Sequence, residues 1–163
     1  MSYCYAPPPS FASPNRYAIL DSGATGTFVT SSDATLLLNK TTVSGTPEVL
    51  SASGTPMPIT VKGHLPLSRK LSPTAQAAFV LDDLKTGTLL SLAQLCDDDC
   101  IAIFNKYDAE IRKGGELIIT GTRMPNGLWS VPIVDSTRHQ ANGILRTDKP
   151  KQELATYLHA TLG

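Results

Sequence analysis

From Arg16 onward the apolar residues of this chain come in short runs of Val, Ile, Thr and Leu, broken by Gly, Pro, Asn and Ser about every eight to twelve residues. That spacing predicts an all-β domain closed into a barrel or sandwich. Strands are expected over residues 17–20, 27–30, 48–52, 57–67, 77–81, 101–104, 109–113, 116–120 and 128–134. Two hairpins stand out. VLSASGTPMPITV has Ser53-Gly54 at its centre, and AEIRKGGELIIT turns on Gly114-Gly115. Helix signals are fewer: SLAQLC, from Ser91 to Cys96, opens on a good N-cap residue and continues with strong helix formers. KPKQELATYLHATLG, residues 149–163, sets Leu154, Tyr157, Leu158 and Leu162 at helical spacing, with Pro150 near its start and Gly163 at its end.

A chain of 163 residues suffices for one domain with a sizeable core. Residues 1–15 contain APPPSFASP and suit an extended, Pro-rich arm. Residues 16–134 carry the β pattern, and residues 135–163 read as a polar linker followed by a helix. Lys and Arg number 14 and Asp and Glu 14, and the longest block of like charge is Asp97-Asp98-Asp99. Direct nucleic-acid binding is therefore not expected, since phosphate contacts need a basic patch. Only 6% of residues are aromatic and the sole Trp is Trp129, so a base-stacking platform is not expected either. The odd number of cysteines, Cys4, Cys96 and Cys100, and the lack of a charged-then-apolar leader favour a reducing, intracellular setting. In that setting the sequon Asn39-Lys40-Thr41 is idle. No apolar run approaches a membrane span, so a soluble, cytoplasmic protein is expected, virus-like particles included.

One stretch carries chemistry. In AILDSGATGTFV a strand brings Asp21 out of an apolar run, Ser22 offers a hydroxyl, Gly23 lets the backbone turn or approach closely, and Ala24 keeps access open. A lone Asp after a strand is ordinarily a turn former or a cap. Amide hydrolysis by carboxyl groups needs two of them in different protonation states, and the chain has no second D-S/T-G. Two chains paired about a two-fold axis would supply it. Like charges a few ångströms apart share one proton, so one member activates water while the other polarises the scissile carbonyl. Asp33 and Asp82-Asp83 are candidate second carboxylates within one chain, but their turn-like contexts favour capping, and the symmetric pair is preferred.

These residues resemble the retropepsin-like aspartic proteases of retroviruses and retrotransposons. The resemblance begins with ILDSGAT, continues with the hairpin around Ser53-Gly54, and ends with TLLSLAQL, residues 88–95, where the family has two apolar residues, a small residue and a helix. Ser91 stands where retroviral members usually have Gly, a substitution similar to the LLSV-QL of copia-type retrotransposons. VLDDLKTGTLLSLAQLCDDDCIAIF followed by GTRMPNGLWSVPI is similar to the stretch between protease and integrase in copia-type polyproteins, and ELATYLHATLG resembles the opening of the pre-integrase region. The tripeptide alone recurs by chance in roughly one chain in ten of this length. Its ordered conjunction with the other motifs, from Tyr17 to the end, carries the resemblance.

The resemblance implies a closed acid-protease barrel with a flap hairpin, an extra C-terminal hairpin and a C-terminal helix. Asp21 would be the catalytic carboxylate, and Ser22, Gly23, Ala24 and Thr25 the active-site loop, with Ser22 interlocking across the two-fold and Gly23 meeting the substrate main chain. Ser53, Gly54 and Thr55 would sit at the flap, closing over bound peptide. The implied function is an aspartic endopeptidase, a homodimer, that processes a retrotransposon polyprotein without a cofactor. Family members that end after the strand matching residues 101–104 hold the dimer with terminal strands, whereas this chain runs on. Two other readings stand beside it: a catalytically silent module of the same fold that dimerises or binds peptide, and a linker to an integrase.

The remaining candidates favour plain roles. Cys96 and Cys100 lack a matching Cys/His pair at ligand spacing and suit a helix end and a buried strand. His139 and His159 lack the cysteines an integrase zinc module would need, so no metal is expected. His64 suits a rim position, and Trp129, alternating with Leu128 and Val131, suits packing. Substrate subsites are expected around residues 36–38, 53–57 and 85–89.

Overall fold

A computed structural model of the chain describes residues 16–45 and 47–133. The Pro-rich arm, Cys4, the polar linker, His139, His159 and the helix expected over 149–163 lie outside the described residues. Eleven strands form one sheet: β1 (Arg16–Asp21), β2 (Thr27–Val29), β3 (Leu38–Thr42), β4 (Glu48–Leu50), β5 (Pro56–His64), β6 (Ala77–Leu81), β7 (Thr88–Ser91), β8 (Cys100–Phe104), β9 (Asp108–Lys113), β10 (Glu116–Arg123) and β11 (Trp129–Ile133). One helix, α1 (Leu92–Cys96), follows β7, and a 3-10 turn spans Asp33–Leu36.

The strand order is β3-β5-β6-β2-β7-β1-β11-β10-β9-β8, with β4 paired to β5. β1 therefore sits between parallel β7 and antiparallel β11, and β2 between parallel β6 and antiparallel β7. Central strands alternate in burial, as a sheet with one core face requires. Ala18 and Leu20 of β1, Ala109 and Ile111 of β9 and Val131 and Ile133 of β11 enter the core with Val29, Leu65, Val80, Leu90, Leu92 and Leu95. The hairpin expected at Gly114-Gly115 joins β9 to β10. Both glycines have positive φ, 59° and 82°, the left-handed geometry a two-residue turn between twisted strands demands.

The sheet does not close, which corrects the expected closed barrel. Among the described residues its end strands are β3 and β8. β3, reading LNKTT, is exposed at every residue, and its pairing with β5 slips between Leu38 and Thr41 around Asn39, whose φ is 53°. A strand so polar and irregular offers no apolar face for another edge to seal against.

Candidate active site

β1 emerges from the core at buried Leu20 and ends on half-buried Asp21. The parallel ladder with β7 sets Asp21 opposite Ser91, the last residue of β7 and the N-cap of α1. The carboxylate turns onto its own loop: Oδ1 accepts the Gly23 amide at 2.8 Å. A Cβ on Gly23 would lie 3.3 Å from the same oxygen, so a side chain there would require the carboxylate to give by a few tenths of an ångström. Ser22, Gly23 and Thr25 are exposed while Ala24 is buried, and the loop presents its polar face outward.

Three side chains hold this loop from beneath. Ser91 is fully buried, and its hydroxyl donates to the Ala24 carbonyl at 2.7 Å while accepting the Gln94 amide at 3.1 Å. The Ser91 amide donates to Thr27 Oγ1 at 3.2 Å. Gln94 Oε1 accepts the Thr27 amide at 3.3 Å, and its Nε2 donates to the carbonyls of Thr74, Ala75 and Ala77 at 3.0, 3.0 and 2.8 Å. The sequence S-L-A-Q has the form of a capping box, in which the Gln side chain returns to the cap residue's own amide. Here only half of the box forms. Thr27 takes the Ser91 amide, which frees Gln94 to tie α1 to β2 and to the approach of β6.

Sequence reasoning does not reach Thr27 and Gln94, because their bonds join positions far apart along the chain; the S-x-x-Q spacing is the one local signal that points to them. Ser53, Gly54 and Thr55 lie on a different element, the tip between β4 and β5. Ser51 N donates to the Thr55 carbonyl at 2.8 Å and Gly54 N to the Ser51 carbonyl at 2.9 Å, with Gly54 at φ 85°. The hydroxyls of Ser51, Ser53 and Thr55 bond in a row at 2.9 and 3.2 Å, so the tip is ordered by contacts within itself.

Asp33, Asp82 and Asp98 have structural partners. Asp33 opens the 3-10 turn, is buried, and accepts the Thr88 hydroxyl at 2.7 Å with the Arg16 guanidinium 3.7 Å away. It ties the turn to β7 through its side chain rather than capping the turn. Asp82 accepts the Ser31 hydroxyl at 2.7 Å. Asp98 accepts Lys113 Nζ at 2.8 Å and the Ser72 amide at 3.0 Å, and these bonds, the lysine's first, hold its carboxyl down to about 2. Cys96 is exposed and Cys100 buried, both as free thiols, and burial pushes the Cys100 thiol up. Among the described residues no group of three or more His, Cys, Asp and Glu could hold a metal ion. His64 is half-buried at the end of β5. Trp129 packs edge-to-face on Phe104 at 5.1 Å, lies under the Arg123 guanidinium and donates to the Asn105 carbonyl at 3.1 Å.

Among the described residues no helix is long and apolar enough to cross a membrane. No family model, curated protein or solved structure matches the chain.

Proposed function

We propose that this chain is a retropepsin-like aspartic endopeptidase, active as a homodimer, that processes a polyprotein of the copia retrotransposon type. The observation that carries the reading is Asp21 itself: a half-buried carboxylate at the end of a central strand, bonded to the Gly23 amide and seated on a loop clamped by Ser91, Thr27 and Gln94. A turn-forming Asp needs no such foundation. The β4–β5 hairpin, with its hydroxyl-rich tip, supplies the flap of this reading.

One chain offers one such carboxylate, so the second comes from another copy. The ionised Asp21 of the pair takes a proton from water as the oxygen attacks the peptide carbonyl, and the protonated one donates its hydrogen to the carbonyl oxygen. The tetrahedral intermediate then collapses, the C–N bond breaks, and the amine leaves with a proton from the pair. No metal or organic cofactor enters any step.

Cleavage of a peptide pool at acidic to mildly acidic pH, blocked by statine-type inhibitors and lost in Asp21→Asn, is the expected result. An Asp21→Asn protein that cuts as well as the parent removes Asp21 from the chemistry. A stable dimer with no turnover under any of these conditions makes the fold a binding module instead.

A further inference from the structure

β9 is separated from β1 by β11 and β10, yet its last residue reaches back across the fold. Lys113 Nζ donates to Asp98 Oδ2 at 2.8 Å and to the Lys70 carbonyl at 3.1 Å. The two side chains are 28% and 16% exposed, so solvent screens this pair less than one on the open surface. What the lysine grips is the loop of residues 65–76 between β5 and β6. Leu65 N closes the neck of that loop on the Gln76 carbonyl at 2.8 Å, and Leu71 and Ala75 seat it in the core.

A line of hydrogen bonds runs from this clasp to the Asp21 loop. Asp98 Oδ2 accepts the Ser72 amide at 3.0 Å, and Ser72 Oγ accepts the Ala75 amide at 3.2 Å. The Ala75 amide and the Thr74 carbonyl belong to one planar peptide unit, so a hold on one end orients the other. Gln94 takes the other end: its Nε2 donates to the Thr74 carbonyl at 3.0 Å, and its Oε1 accepts the Thr27 amide at 3.3 Å. Thr27 Oγ1 then accepts the Ser91 amide, and Ser91 Oγ donates to the Ala24 carbonyl within the Asp21 loop. α1 has only five residues, too few to fix a side chain through helical cooperativity, so Gln94 is placed by what it grips.

We propose that Lys113 and Asp98 are positioning residues for the Asp21 loop. Their clasp fixes residues 72–77, that segment orients the Gln94 carboxamide, and Gln94 sets Thr27 and α1 beneath the loop. The β9–β10 hairpin thereby acts on a site its strands do not border. As an aid to cleavage the brace rests on the endopeptidase reading; as a brace it is read by hydrogen exchange, which needs no turnover.

The test is native-state amide exchange of the full chain, followed by NMR, in the parent and in Lys113→Met, which keeps the aliphatic stem and loses the charge. Exchange is expected to quicken by about threefold or more at Ala75 and, across the Gln94 carboxamide, at Thr27, while amides of the β1–β11 ladder keep their parental rates. Asp98→Asn is expected to do the same and replaces Lys113→Met should that protein not fold; Lys113→Arg, which can remake the pair, is expected to return toward the parent. In a Gln94→Ala background, Lys113→Met should still quicken Ala75 and add nothing at Thr27. Lys70→Met removes only the exposed pair with Glu116, at 3.6 Å, and is expected to move neither amide. Equal quickening at every amide overturns the brace, because it reports a general loss of stability. A change that stops at Ala75, no change at all, or the same effect from Lys70→Met overturns it too. In the endopeptidase reading Lys113→Met also lowers kcat with KM unchanged. A brace that behaves as expected in a protein that cleaves nothing stands by itself and removes the endopeptidase.

Discussion

Replacing Ser91 with Ala strips one oxygen from beneath the Asp21 loop, and the geometry sets the cost. The Ala24 carbonyl loses its 2.7 Å donor in a site where Ser91 has no solvent access, so it is left without that partner at about 1–3 kcal/mol. The Gln94 amide loses the cap oxygen at 3.1 Å, worth about 1 kcal/mol on a short helix. The two losses share one atom and do not simply add, so about 3 kcal/mol is the expected destabilisation. For a domain of this size that lowers Tm by about 10 °C. Thermal and urea unfolding followed by circular dichroism read it directly, and an unchanged urea slope would show that the loss is local. A variant melting within about 1 °C of the parent would refute the clamp, because no arrangement of water reaches a fully enclosed hydroxyl site at so little cost. In the endopeptidase reading the same variant lowers turnover beyond its effect on folding, since the loop that aims Asp21 is released.

Two further outcomes follow from packing and charge. A Cβ on Gly121 would stand 2.5 Å from the Ser130 carbonyl oxygen, main chain that cannot swing aside, so Gly121→Ala is expected to cost about 1–3 kcal/mol by urea denaturation, whereas Gly114→Ala meets open space and is penalised only by its left-handed turn. Asp98 has a folded carboxyl held below its ordinary 3.8, at about 2, so the stability it contributes is complete above pH 4, declines as the unfolded chain takes up its proton, and is gone once pH falls through 2. Asp98→Asn should therefore be less stable than the parent at pH 6 and should lose less between pH 5 and 2; parallel stability curves over that window would exclude the Lys113 clasp as the cause.

Legibility in the sequence follows the range of the interactions. Strands whose side chains alternate, such as β1, β6 and β9, stand within a residue or so of their expected bounds, and the Gly114-Gly115 turn and the Ser91 cap are visible because their chemistry is local. β7 escapes the pattern because TLLSLAQL is one apolar run. Thr88 to Ser91 are extended only because β1 and β2 pair on either side of them, and no periodicity separates a four-residue buried strand from the helix it enters. β3 escapes it for the opposite reason, since LNKTT lacks an apolar face altogether. The open sheet follows from that same strand, and a turn-and-run pattern cannot tell a sheet that closes from one that stops.

The Asp21 tripeptide is legible while its foundation is not, and this difference separates two properties that the motif joins. Position is fixed by β1, β7, β2 and α1 through Ser91, Thr27 and Gln94, none of whose bonds described above touches the carboxylate. In the endopeptidase reading the chemistry rests on the carboxylate, and its bond to the Gly23 amide at 2.8 Å is one that an Asn side-chain oxygen can also accept. Asp21→Asn should therefore melt within about 1 kcal/mol of the parent and sediment as the parent does. Loss of cleavage in that variant can then be attributed to the missing acid alone. If Asp21→Asn unfolds the domain instead, the carboxylate is part of the scaffold, and a residue bound into the scaffold that firmly is not free to exchange protons with water and a substrate.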